Sequence, residues 1–350
     1  METIEQHSGK PVKNGLARNL KRFKAFFLAI PELLLLGLGI VLIGPLPRGI
    51  ERWLGRMVGL SFFRFHRRYC RVARQNVDLV FGDRLTDREK TAFIRKCFLH
   101  AGQVVVDYFW FSCRVGKRIS TYCEFGDESA RRWVTESFPG IFCTAHFGNW
   151  ELGGHFISQH GRHLSSVFKS VGGNAVSKML RHFRGSSGQH VIERKGAMKG
   201  VVRALRANAV VAMLLDQHTE LTDGGIYLEF FGLPATFSQS VGVLSYRLKV
   251  PILIAAMVYD GERDRYVMRT IREITAETAA SMTPESITCA IRDGFEEMIC
   301  RWPHQWLWMY RRWKRFRLCD DSTRFPSYAR LDGYSTMETP CLPGKPAGLR

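Results

Sequence analysis

Between Gly140 and Arg301 short apolar runs alternate with segments of helical spacing, and this alternation restricts the chain to a few folds. Gly140-Ile141-Phe142-Cys143-Thr144-Ala145 has the character of a buried strand. Similar runs at Ser165–Lys169, Gln189–Glu193, Val210–Leu215, Ile226–Phe231 and Pro251–Tyr259 predict further strands, and Arg265–Glu273 alternates as an edge strand would. Helical spacing falls near residues 175–183, at Gly196–Asn208 and at Ser238–Lys249. Thr283-Pro284-Glu285 supplies an N-cap, a first-turn proline and an acid for a helix running to about Arg301. Strands interleaved with helices of this length make an α/β fold with a mainly parallel sheet covered on both faces.

Six residues at the end of the first of these strands carry the chemistry. His146-Phe147-Gly148-Asn149-Trp150-Glu151 spans a strand-to-helix turn, with Asn149 as the N-cap of a helix on which Leu152, Phe156 and Ile157 recur. On one continuous helix, residues five apart lie roughly 140° from each other and cannot face one target. A turn removes that restriction, so His146 and Glu151 are expected to approach as a general base and its orienting carboxylate. Backbone N–H groups at the helix start are candidates to bind a developing negative charge. Asp216 ends the Val210–Leu215 strand, and ligands of open α/β sheets bind beyond the carboxyl ends of strands.

Charge is unevenly spread. The 350 residues have a formal charge of +19, of which +10 lies in residues 1–76 and +6 in residues 301–317. The first basic stretch encloses an apolar run from Ala25 to Leu46, interrupted by Pro31 and Glu32. Lys21, Arg22 and Lys24 precede it; Arg48, Arg52 and Arg56 follow. Cations on both flanks fit a retained anchor, spanning the membrane or lying in its interface, with those arginines on anionic head groups. No small-residue cleavage site follows, which argues against a signal peptide. In the second basic stretch Arg311, Arg312 and Lys314 interleave with Trp302, Trp306, Trp308, Tyr310, Trp313 and Phe316, a pattern suited to head groups or to an acidic carrier protein.

Nine cysteines, with no C-x-x-C pair, suggest neither a disulfide framework nor a zinc site, and no cofactor or metal is expected. The resulting plan has a basic segment at 1–24, an anchor at 25–47, a catalytic domain at 48–318 and a partly disordered tail at 319–350.

The motifs together resemble the late acyltransferases of bacterial lipid A biosynthesis, within the lysophospholipid acyltransferase superfamily. His146-Phe147-Gly148-Asn149-Trp150-Glu151 looks like the histidine-x4-acid motif of that superfamily. Val167-Phe168-Lys169 with Asn174, Arg184, Gly188 and Glu193-Arg194-Lys195-Gly196 resembles its second block. Leu215-Asp216-Gln217 with Phe230-Phe231-Gly232-Leu233-Pro234-Ala235 resembles its third, and Pro303 to Lys314 its closing signature. The resemblance covers roughly residues 25–317. It implies a glycerolipid acyltransferase-like αβα fold with an N-terminal anchor, at the cytoplasmic face of a bacterial inner membrane. It also implies acyl transfer from an acyl carrier protein or CoA thioester to a hydroxyl of a lipid A precursor. Asn149, Lys169, Asn174, Arg184, Arg194, Asp216 and Gln217 are then the candidate substrate-binding residues. This chain departs from the family pattern at Lys169, where arginine is usual, and at His304 and Tyr310, where glutamate and histidine are. Lysine keeps the charge but loses the bidentate geometry that suits phosphate.

Other readings compete. Similar enzymes acylate other glycolipids or lysophospholipids, such as mannosylated phosphatidylinositol. A basic membrane or nucleic-acid-binding protein would fit the pI of about 9.8, but no nucleic-acid motif is present. A metal hydrolase using His146, His155, Asp216 and His218 fits no standard ligand spacing.

Overall fold

The computed structural model describes residues 37–168 and 174–344. Lys169 and the first part of the anchor, residues 25–36, lie outside them. Residues 37–43 are helical, and no helix among the described residues is long and apolar enough to cross a membrane. Three long helices follow: α1 (Arg48–Phe65), α2 (Arg67–Phe81) and α3 (Asp87–Ser112). Thr86 and Glu89 close a reciprocal capping box at the start of α3. The packing of α1 on α3 depends on small residues: a Cβ on Gly102 would lie 2.3 Å from the Gly59 nitrogen.

The body is a seven-stranded sheet in the order β1-β9-β8-β2-β5-β3-β4. Its strands are β1 (Cys123–Phe125), β2 (Gly140–Thr144), β3 (Leu164–Phe168), β4 (His190–Glu193), β5 (Val210–Leu214), β8 (Ile252–Asp260) and β9 (Arg265–Ile274). β8, β2, β5, β3 and β4 run parallel, whereas β9 is antiparallel to β8 and β1 parallel to β9. The mainly parallel α/β sheet is therefore present. β9 is not the edge expected from its alternation, because the three-residue β1 pairs along its other side. So short a strand leaves no period in the sequence.

Ile226–Phe231, expected among the sheet strands, belongs elsewhere. β6 (Gly225–Phe230) and β7 (Leu233–Ser238) form a hairpin, joined by β12 (Cys341–Leu342) into a separate three-stranded sheet. The far end of the chain packs down with it: Tyr227 donates to Asp332 at 2.8 Å and Arg292 to the Pro343 carbonyl at 3.1 Å. Described residues of the 319–350 tail are thus held against the body, and residues 345–350 lie outside the description.

The helices that position the site are α6 (Trp150–Gln159), which follows β2, and α7 (Asn174–Gly185), which follows β3. β5 lies between β2 and β3, so the chain leaves β2, passes over that place and returns to fill it. The carboxyl ends of β2 and β5 are therefore neighbours, with Thr144 opposite Leu214.

Candidate active site

The turn after β2 is fixed by its backbone. Gly148 has φ +56°, and a Cβ there would lie 2.0 Å from the Met257 carbonyl oxygen, so the position requires glycine. The N–H groups of Gly148 and Asn149 donate to Gln305 (3.0 Å) and Met257 (2.9 Å), and Leu307 donates to the His146 carbonyl at 3.1 Å. Asn149 caps α6 by accepting from the Leu152 N–H at 3.2 Å. With these groups occupied, Trp150 and Glu151 supply the candidate oxyanion N–H groups at the helix start.

The imidazole of His146 has an acid partner, and it is Asp216. Nδ1 lies 2.8 Å from Asp216 Oδ1, and the His146 side chain keeps 22% of its surface exposed. Trp306 Nε1–H donates to the other Asp216 oxygen at 2.9 Å. Burial alone would push the Asp216 carboxyl up. The His146 ring, by charge and hydrogen bond, outweighs burial together with Trp306 and holds it below the usual carboxylate range. An ionised carboxylate can only accept, so Nδ1 carries a hydrogen, and in the neutral ring Nε2 is then the nitrogen with the lone pair. The Gln217 amide lies 3.3 Å from Nε2.

Glu151 does not reach the imidazole as its spacing had suggested. Arg184 takes it in a two-point ion pair, Nε to Oε2 at 2.9 Å and Nη2 to Oε1 at 2.8 Å. Burial would raise the Glu151 carboxyl, but the Arg184 guanidinium holds it below its ordinary value. Trp150 links the two halves of the motif: its ring meets His146 edge-on at 5.2 Å and its N–H donates to Glu151 at 3.1 Å. Behind the pair, a narrow cavity runs between α6 and the sheet past Phe142, Ile157, Ala212, Leu214, Met257 and Met268. Gly153 and Gly154 leave room on the helix side.

Other expected site residues are placed differently. Asn149 is 2% exposed and donates to the buried Asp107 at 3.2 Å, which holds it in the turn. Arg194 is exposed. Lys169 lies outside the described residues, as does the side chain of Asn174. Arg48, expected at the membrane, is turned inward onto Glu51 (2.7 Å) and Asp107 (2.8 Å), beneath the Trp110 ring. Arg52 packs over Tyr259, and Arg56 is exposed. In the closing segment Trp306, Trp308 and Trp313 are core, Arg312 is fully buried, and Arg311 and Lys314 are half-buried beside Tyr328 and Tyr310. Among the described residues no three His, Cys, Asp or Glu side chains gather as a metal-ligand set. His155 is buried 4.0 Å from the Phe183 ring. Cys143, three residues before His146, is fully buried, and burial pushes its thiol far up.

The mainly parallel sheet brings His146 and Asp216 together at adjacent strand ends, beside an apolar cavity. The chain belongs to the bacterial lipid A biosynthesis acyltransferase family, whose pattern matches residues 21–315. Over 285 residues it is 25% identical to the lipid A biosynthesis palmitoleoyltransferase of Escherichia coli (strain K12), covering 79% of this chain and 90% of that one. The lipid A biosynthesis acyltransferase of Shigella flexneri gives the same figures. The lipid A biosynthesis lauroyltransferase of Escherichia coli (strain K12) is 22% identical over 289 residues, covering 80% and 90%.

Proposed function

We propose that this acyltransferase moves a fatty acyl chain from an acyl carrier protein or CoA thioester to a hydroxyl of a lipid A precursor, at the cytoplasmic face of the inner membrane. His146 Nε2 removes the hydroxyl proton, and the freed oxygen attacks the thioester carbonyl. The tetrahedral oxyanion faces the N–H groups of Trp150 and Glu151, and its collapse breaks the C–S bond as the departing sulfur takes the proton back from His146 Nε2 and leaves as the thiol. Asp216 positions the imidazole and stabilises its protonated form. The Glu151–Arg184 pair shapes the mouth of the apolar cavity, which receives the start of the acyl chain. Lys169 and Arg194 are candidates for the acceptor's phosphates.

The observation that supports this reading most directly is the 2.8 Å contact between His146 Nδ1 and Asp216 at the ends of adjacent strands. Base catalysis contributes on the order of 10²–10⁴-fold. His146→Ala should therefore lose most thioester-dependent transfer while melting like the parent, and undiminished turnover would reject the assignment. Mass spectrometry of lipids from cells lacking the protein identifies the acceptor. Loss of an acyl group from lipid A is the expected result, and loss from a mannosylated phosphatidylinositol would redirect the reading.

A further inference from the structure

Arg312 is fully buried, and among the described residues none of its three guanidinium nitrogens has a hydrogen-bond partner. Its charged end sits 4.2 Å from the centre of the Phe237 ring and 5.2 Å from that of Phe230. Desolvating a cation without a hydrogen-bonded partner is unfavourable, and the two ring faces offset only part of that. Burial pulls its pKa down to about 10, against the upward effects of Tyr310 and Asp216, so it is cationic at neutral pH.

The packing around it leads to the imidazole. Phe230 lies 5.9 Å from Trp306, and Trp306 donates to Asp216 at 2.9 Å. Tyr310, two residues before Arg312, accepts the backbone N–H of His218, two residues after Asp216. We propose that Arg312 is a positioning residue for the transfer reaction, a fixed buried cation that keeps the Asp216 carboxylate charged without a proton having to sit on His146. The inference rests on reading His146 as the base. A buried carboxylate touching Nδ1 favours the imidazolium, and an imidazolium cannot act as a base. A second positive charge near that carboxylate weakens the pull while leaving the hydrogen bond in place.

The other charged and titratable groups nearby do not supply this charge. His218 is held below its ordinary range by burial and contacts Glu220 at 3.1 Å. Lys314 sits by the Tyr310 ring, and Arg315 lies 3.7 Å from Glu220. From the tail, Tyr328 donates to Asn76 at 2.5 Å. At the turn Arg184 is matched by Glu151. His100 meets the Gly148 carbonyl at 3.1 Å with His304 beside it, and burial lowers both.

The test is the pH dependence of kcat/KM in the full-length protein, for the parent, Arg312→Met and Arg312→Lys. The acid limb of the Met variant should move up by about one pH unit. Activity below the limb should then fall roughly tenfold, with recovery above it. The Lys variant should keep the parental limb. Titration of the His146 ring by NMR reads the same effect without turnover, with a higher midpoint in Arg312→Met. Failure of the base assignment would appear separately, as activity retained in His146→Ala. Arg312→Gln serves if the Met variant does not fold. An unmoved limb and an unmoved ring midpoint would overturn the proposal, as would an equal loss at every pH.

Discussion

At the scale of single residues, the site depends on which acid meets His146. Glu151 is nearer in sequence, but Arg184 occupies it at two points, and the imidazole turns instead to Asp216, 70 residues further on. Asp216→Asn should leave the fold in place, since the amide can still accept from Trp306, but it removes the charge that steadies the imidazolium. A loss in kcat of about 10²–10⁴-fold is expected in single-turnover transfer from a thioester. Full activity would assign the orienting role elsewhere. Both His146 and Asp216 were legible in the sequence as strand-end residues. Their pairing was not, because it depends on β5 lying beside β2, which local spacing does not encode. Trp306 was legible only as one tryptophan among several in a basic stretch, and its place on Asp216 depends on the same long-range packing.

At the scale of elements, the Glu151–Arg184 pair joins the first turn of α6 to the last turn of α7 and is nearly dry, with side chains 13% and 9% exposed. Removing one member of a buried pair strands the other charge at a cost of about 3–5 kcal/mol, whereas replacing both by apolar residues is milder. Arg184→Met should thus lower the denaturation midpoint more than the Glu151→Leu/Arg184→Met double variant does; the reverse order in urea melts would contradict the pair's role. The sign with pH follows from a Glu151 carboxyl held below its unfolded value. Its contribution is complete above the ordinary carboxylate range and fades as pH falls through the lower folded value. Glu151→Gln should flatten that acid-side loss. Most of the helices and strands were legible, because burial on both sheet faces leaves continuous apolar runs. Among the strands described above, those that escaped were β1, too short for a period, β7, which pairs only within its own hairpin, and the two-residue β12.

Over the whole molecule, the described apolar surface gathers along the first long helix. Ile50, Trp53, Met57, Phe62 and Phe65 are exposed there, Trp53 by 57% and Phe65 by 74%, with Arg56 among them. Such a row suits an interfacial docking face, and Arg48 is needed inside to hold that helix to Asp107. Trp53→Ser combined with Phe65→Ser should weaken binding to vesicles containing phosphatidylglycerol by an order of magnitude or more, since each buried aromatic contributes roughly 1.5–3 kcal/mol. Added salt should weaken the parent further. Unchanged sedimentation with vesicles would remove this face from the membrane reading. The interleaved strand order has a last consequence, for synthesis. A ribosome makes the histidine well before its acid, and the acid well before the indole that steadies it. On the proposed reading, a nascent chain completes the His146–Asp216–Trp306 arrangement only once the segment bearing Trp306 has cleared the exit tunnel.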